Sequence, residues 1–250
     1  MRTFFGISFI VCAVGGLLLT FAFGWYVFLD DAQVRNPAYE ATMWRNEPAD
    51  ELFPDKLNGS VESGEGGNPS NAKWVRAGIS QDTSCEKGLD GDALKAATRY
   101  GCEAVLRATY VEATGSHVAT IALIVVKDHT EDGDGFTPAN RLGDRIQDKG
   151  DDIDQPDFGV RAFTVPGTPA AKWTDEARNG TYATTASEYA VAATAGATDG
   201  RRAGRLPAPW NGTSDVSAGR GDRATFTYGA EALTKSYADW LGRLSEGEAS

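Results

Sequence analysis

The chain has 250 residues, 41% of them apolar, and a net charge of −11. An acidic surface repels polyphosphate backbones, which argues against nucleic acid as a partner, and it disfavours anionic wall polymers unless a cation bridges. The length leaves room for one domain with a real core beyond any membrane segment.

Phe4 to Leu29 form an unbroken uncharged run, preceded by Arg2 and followed by Asp30 and Asp31. As a helix the run covers about 39 Å at about 1.5 Å per residue, against a hydrocarbon core of about 30 Å. Trp25 and Tyr26 stand near its far end, where aromatic rings favour the membrane–water interface. A cleaved signal has an apolar stretch of about 7–15 residues, and the one weak small-x-small site, Ala22-Phe23-Gly24, lies inside the run. Phe9, Ile10 and Val11 are too bulky for a lipobox at Cys12. The expectation is an uncleaved transmembrane anchor over residues 1–29 in the cell membrane. By the positive-inside rule the N-terminus is cytoplasmic and the C-terminal domain extracellular. Ser8, Cys12, Gly16, Thr20 and Gly24 recur every four residues, so small side chains line one stripe of the helix. Such stripes let helix backbones approach closely, which points to a homo-oligomer or a partner transmembrane helix.

Residues 30–72 read as a juxtamembrane stalk and flexible linker, with Pro37 and Pro48 breaking any long helix. Within it Leu52, Phe53 and Leu57 are expected to dock onto the domain, and 58–71 is a Gly/Ser/Asn-rich loop. The extracytoplasmic domain is expected over 73–244, with a disordered tail over 245–250.

Inside the domain the hydrophobic period switches repeatedly. Lys73–Ser80 alternates as a strand, and Leu89–Tyr100 reads as a helix closed by Gly101. Glu103–Glu112 and His117–Lys127 are β-rich runs joined through 113–116 as a hairpin. An acidic insertion, His129–Asp157, reads as a solvated loop. The order then recurs: Gly159–Val165 as strand, Pro169–Arg178 as helix, and two runs across Thr181–Ala195. Arg223–Tyr228 reads as a last strand, leading into a helix over Glu231–Leu244 with Leu233, Tyr237, Trp240, Leu241 and Leu244 on one face. The fold class is α+β: an antiparallel sheet domain with packed helices, whose pattern suggests two β-α-β-β halves.

Cys12 falls in the apolar run, which leaves Cys85 and Cys102 as one pair in an oxidising compartment. They flank the first helix without C-x-x-C spacing, so a structural disulfide is expected rather than a redox-active one.

Catalytic signatures are weak. His117 and His129 lack neighbouring zinc ligands, and no G-x-S-x-G supports a Ser-His-Asp set. The two S-x-x-K matches, at Ser70–Lys73 and Ser84–Lys87, lack the K-T-G and S-D-N companions of penicillin-binding enzymes. Asp128, Glu131, Asp132 and Asp134 resemble the start of a calcium loop, but the position that requires Glu is Ala139. A second acidic cluster comprises Asp148, Asp151, Asp152, Asp154 and Asp157. The sequons at Asn58, Asn179 and Asn211 and the Arg220-Gly221-Asp222 triplet arise readily in a Gly-rich chain and carry no weight. No catalytic, cofactor-binding or metal-ligating residue is therefore expected.

The order of elements resembles a group of single-pass actinobacterial membrane proteins with a disulfide-stapled extracytoplasmic domain. The residues that carry the resemblance are Ala49-Asp50-Glu51-Leu52-Phe53-Pro54, Trp74-Val75-Arg76-Ala77-Gly78-Ile79, Cys85, the stretch from Gly101-Cys102-Glu103 to Tyr110, and Val165-Pro166-Gly167-Thr168. That group implies no established activity. A looser likeness is to the extracytoplasmic sensor domains of actinobacterial receptor kinases. The expected function is a non-enzymatic, membrane-anchored binding or accessory module of an envelope or secretion assembly, or a sensor acting through a membrane partner. The alternative is a carboxylate-based cell-envelope hydrolase, with a pair such as Asp151 and Asp157 as acid and base.

Overall fold

The β-branched runs on either side of the 113–116 turn pair as a hairpin. In the computed structural model, which describes residues 37–59, 72–150, 157–202 and 218–246, they are β3 (Cys102–Glu112) and β4 (His117–Val126). Three short helical turns precede them: α1 (Pro37–Glu40), α2 (Met43–Asn46) and α3 (Ala49–Leu52). Then come β1 (Lys56–Gly59), β2 (Ala72–Ile79), α4 (Cys85–Gly88) and α5 (Gly91–Arg99). After the hairpin follow α6 (Pro138–Gly150), β5 (Arg178–Ala186), β6 (Tyr189–Ala197) and the long α7 (Ala218–Ser245). All six strands are antiparallel in one curled sheet of order β1-β2-β3-β4-β6-β5. The expected α+β class with helices on an antiparallel sheet is what the chain adopts.

Alternation along the strands sorts their side chains to two faces. Ile121, Leu123 and Val125 of β4, with Tyr110 of β3 and Tyr189, Val191 and Ala193 of β6, face α7 and the segment from Met43 to Leu57. Ala122, Ile124 and Val126, with Val105, Ala190 and Ala192, face α5 and α6 through Ala93, Ala97, Leu142 and Ile146. At the far end of that second face Trp173, Ala170 and Ala177 pack on Val111 and Val118. The sheet is thus covered on both sides, and β4 and β6 are buried along nearly their whole length. Met43, Leu52, Phe53 and Leu57 are in this core, so residues 43–59 of the expected stalk are part of the domain's packing.

The run of small residues in β6 (YAVAATAGA) lets both layers approach. At Gly196 a Cβ would collide with the Trp173 ring, and at Gly180 of β5 it would collide with the α7 backbone at Phe226 and Thr227. α7 then crosses the sheet face, where Phe53 and Tyr237 stack with centroids 5.2 Å apart. It reaches the opposite edge, where Ser236 Oγ donates to the Asn58 carbonyl at 2.6 Å.

Four expectations are corrected. Arg223–Tyr228 is helical and belongs to α7, because Phe226, Ala230, Leu233, Tyr237, Leu241 and Leu244 form one helical stripe against the sheet. That packing overrides the β propensity of the RATFTY stretch. Gly159–Val165 makes only the isolated bridge Leu89↔Val160. Pro169–Arg178 forms two 3-10 turns, Pro169–Lys172 and Asp175–Ala177, rather than one helix. The second β-α-β-β half therefore does not repeat the first. Finally, the acidic insertion is not loop throughout: it contains α6, whose Ala139, Leu142 and Ile146 are buried.

Among the described residues no helix is long and apolar enough to cross a membrane. The run Phe4–Leu29, with Ser8, Cys12, Gly16, Thr20 and Gly24, lies outside them.

Cys85 in α4 and Cys102 at the start of β3 form a disulfide with Cα atoms 6.5 Å apart. It closes a loop with a sequence separation of 17, which in the chain-entropy model stabilises by about 3 kcal/mol. Both cysteines pack on the Val105–Leu89 cluster, so reduction loosens α4 and α5 together. A melt with dithiothreitol should show destabilisation of about 3 kcal/mol against the oxidised chain; an unchanged midpoint would refute the staple.

Candidate functional site

Glu112 ends β3 and His117 opens β4, so the hairpin turn sets them together with Ser116. Glu112 Oε2 lies 2.8 Å from His117 Nδ1 and accepts from Thr114 Oγ1 at 2.8 Å and Ser116 Oγ at 2.9 Å. Burial pushes the Glu112 carboxyl up, but the hydrogen bonds from His117, Thr114 and Ser116 outweigh it and hold the pKa below the ordinary glutamate value. Ser116 Oγ is also 2.9 Å from the same His117 Nδ1. A catalytic relay needs the serine on one ring nitrogen and the carboxylate on the other. Here both meet Nδ1, so the cluster clamps the hairpin and does not activate a nucleophile. The His117 ring meets Phe226 edge-on at 5.2 Å, tying the clamp to α7. His129 lies with its Nδ1 3.1 Å from Glu188.

The acidic segment is organised by hydrogen bonding to its own backbone. Asp132 Oδ1 accepts from the amides of Asp134 at 2.9 Å and Phe136 at 3.1 Å, and Arg141 Nε donates to Asp132 Oδ2 at 2.8 Å. The Phe136 amide and Arg141 hold the Asp132 carboxyl below its ordinary pKa, and the Thr130 amide does the same for Asp128. Among the described residues no three His, Cys, Asp or Glu side chains are arranged to hold a metal ion. Asp157 Oδ2 accepts from the Asp92 amide at 2.6 Å and Oδ1 from the Gly159 amide at 3.1 Å. It thereby satisfies the start of α5, where orphan donors and the helix dipole favour a carboxylate. Asp151, Asp152 and Asp154 lie outside the described residues, as do Ser70 and Asn211. Ser84 Oγ donates to Asp82 at 2.6 Å ahead of α4. Asn179 is buried and donates to the Ala177 and Arg201 carbonyls, each at 3.0 Å.

Three arginines pin the irregular segment 158–163. Arg178 grips Asp90 with both Nη atoms at 3.2 and 2.7 Å, and Arg161 Nη1 meets Asp175 at 3.0 Å. Arg107 is buried, donates from Nη1 to the Arg161 carbonyl at 3.2 Å, and has no partner at Nε. Burial lowers its pKa, an effect opposed by Asp82 and Asp175. The Nε atom is sealed from solvent, so the cluster is a structural lock.

Among the described residues, open concave features lie elsewhere: a shallow one at Thr168, Lys172 and Asp199, and a groove beside β5. β5 is the last strand of the sheet, and α6 lies beside it. Between them runs a groove of about 330 Å³ lined by Phe136, Asn140, Gly143, Asp144 and Gln147 on one side and by 182–185 of β5 on the other. Asn140, Asp144 and Gln147 fall at i, i+4 and i+7, one polar stripe of the helix. Leu142 and Ile146 bury the neighbouring stripe in the core, which aims the polar one at the strand edge. Gln147 Oε1 accepts from the Ala183 amide at 3.1 Å, and Asn140 Nδ2 donates to Thr185 Oγ1 at 3.1 Å. Ala183 therefore turns its backbone to the outer edge, and by the alternation of an antiparallel ladder so do Thr181 and Thr185.

None of these groove residues stands out in the sequence as a site. The signal is the 3-4 spacing of Ala139, Leu142 and Ile146, which predicts a helix and hence a polar stripe at 140, 144 and 147. The surrounding aspartates and glycines mask it in composition.

No family model, curated protein or solved structure matches this chain.

The depressed Glu112 pKa carries a pH dependence. Its stabilising contribution is present above the ordinary value of 4.5 and is lost as pH falls through the lower folded value. Melting temperature measured below pH 4.5 should therefore fall more steeply in the wild type than in Glu112→Gln. Parallel acid limbs in the two proteins would remove the hairpin clamp from the stability account.

Proposed function

We propose that this chain is a non-enzymatic binding module held to the outer face of the cell membrane by an N-terminal helix. The observation that carries the binding half is the α6–β5 groove, a formed cleft whose walls are a polar helix stripe and a strand edge. Pockets with a few convergent polar groups are the default binding sites of a domain. The location half is supported by the uncharged run Phe4–Leu29 and by the Cys85–Cys102 bridge, since structural disulfides persist in oxidising compartments. The resemblance to single-pass actinobacterial proteins fits the same reading. In it the stripe Ser8, Cys12, Gly16, Thr20 and Gly24 packs against a second copy or a partner helix and passes on what the outer domain binds.

Location is tested with Thr98→Cys, an exposed position on α5. A membrane-impermeant maleimide should label it in intact cells; labelling only after lysis would place the domain inside and overturn the reading. The stripe is tested by in-cell crosslinking of the full chain beside a Gly16→Leu/Gly24→Leu variant. A crosslinked dimer or defined membrane partner should appear with the wild type and be lost in the variant, whereas equal yields would reduce the helix to a tether.

A further inference from the structure

The groove also indicates what it takes. We propose that it receives an extended, basic peptide segment of a protein partner, which adds to β5 as a seventh strand. This deepens the binding-module reading and rests on it.

Three observations argue for this occupant. The first is the strand edge. Among the described residues nothing pairs along the outer side of β5, and the Ala183 carbonyl and both backbone groups of Thr185 have no partner there. A row of such groups is a template for another strand, and main-chain bonds along it supply affinity without demanding a particular sequence. The second is Gln147. Its Oε1 sits 3.1 Å from the Ala183 amide, where the carbonyl of a neighbouring strand would stand. The edge thus accepts a carbonyl-like acceptor at that point, and an incoming peptide carbonyl takes the place of the side chain. The third is charge. The cations of α6 are already engaged: Arg141 with Asp132 at 2.8 Å and Asp134 at 3.0 Å, Arg145 and Lys149 with Asp92 at 3.2 and 4.0 Å. Asp144, in the groove, and Asp148, one turn on, are exposed and make no ion pair among the described residues. On a chain of net charge −11 this leaves the helix wall negative, complementary to lysine or arginine side chains that alternate along an extended peptide.

Four edge residues span about 13 Å at about 3.3 Å per residue, so a segment of about four to six residues fills the groove. Side chains on one side of the added strand meet Asp144 and Phe136. The other side faces solvent, which makes the contact tolerant of sequence and selective for charge.

The probe is a fluorescein-labelled hexapeptide of alternating valine and lysine, titrated against the full chain in detergent and read by anisotropy. Its counterpart alternates valine and glutamate. The lysine peptide should bind at least about tenfold more tightly, a difference of about 1.4 kcal/mol, and Asp144→Lys should abolish or reverse that preference. Thr185→Pro removes an outward amide without touching the ladder to β6. Apart from the lost Asn140–Thr185 bond it should keep a cooperative fold, and it should lose peptide binding. Slowed hydrogen exchange of the Thr185 amide on adding the lysine peptide locates the contact. The proposal is overturned if neither peptide binds, if Thr185→Pro folds and binds as well as the wild type, or if Asp144→Lys leaves the preference intact. It is equally overturned if the edge proves to be occupied by a second copy, seen as a dimer that Thr185→Pro converts to monomer. The exposed Asp144 position keeps the test decisive should Thr185→Pro not fold. Maleimide labelling at Thr98→Cys is independent of all these outcomes, so a failure of the peptide site is separable from a failure of the membrane-module reading.

Discussion

The interaction on which the rest of this structure depends is the burial of β4 and β6 on both faces. A strand with solvent on one side can carry polar residues at every second position; one buried on both cannot, unless each polar group finds a bond. The helix layers on either side follow from that requirement. So does the small-residue composition of β6, which lets the Trp173 ring approach one face and α7 the other. Threonines sit within this interior, and each is bonded. Thr120 Oγ1 accepts from Trp173 Nε1 at 2.8 Å and from the Phe163 amide at 3.0 Å, and lies 2.9 Å from Thr109 Oγ1. Thr109 donates to the Phe163 carbonyl at 2.6 Å, and Thr181 to the Ala193 carbonyl at 2.7 Å.

Those bonds help account for the segment Gly159–Val165, which reads in the sequence as a strand. Some of its backbone groups bond to the backbone of Gly88 and Asp90 around the single bridge Leu89↔Val160, and others are satisfied by side chains instead of a continuous ladder. Phe163 is held by Thr109 and Thr120, the Ala162 amide by Asp175 at 2.7 Å, and the Val160 carbonyl by Arg178 Nη1 at 2.9 Å. Alternating apolar residues therefore gave the right burial and the wrong partner. What was legible was whatever local pattern decides: the β3–β4 hairpin, α5 with its Gly101 closure, the β5 and β6 runs and the Cys85–Cys102 pair. Pro169–Arg178 reads as a helix, but Trp173 and Ala177 both pack on the sheet within a few residues, and two 3-10 turns achieve that. The stretch before Tyr228 favours strand by residue type, yet it continues the helical stripe from Phe226 to Leu244 that packs on the sheet.

The site was less legible than the fold because it is made of backbone. A groove between a strand edge and a helix stripe leaves only a faint trace in residue identity: Asn140, Asp144 and Gln147 are ordinary surface residues until β5 is known to be last in the sheet. Several of the conspicuous side chains among the described residues are occupied. Asp157 serves the start of α5, Asp132 and Asp134 hold Arg141, and Glu112 and Ser116 share one nitrogen of His117. Residues that look chemical in composition are here the ones that fix turns and helix ends.

The two edges of the sheet are treated differently, and that asymmetry gives the groove its meaning. Unpaired strand edges invite pairing with other chains, and folded proteins cover, shorten or charge them. At the β1 end the strand has only four residues and α7 reaches over it, with Ser236 bonded to Asn58. At the β5 end the strand is nine residues long, α7 crosses it at Gly180, and α6 closes on it at Gly143, leaving beside that contact a cleft that Gln147 bridges at the Ala183 amide. A side-chain amide on one rung discourages indiscriminate pairing while remaining displaceable, because the bond it makes to Ala183 is one that an incoming backbone can replace at little net cost. The carboxylates of Asp144 and Asp148 add a charge filter on the same wall. A short edge held by α7 on one side of the sheet and a longer one bridged by a single side chain on the other is the arrangement that the selective pairing proposed above requires.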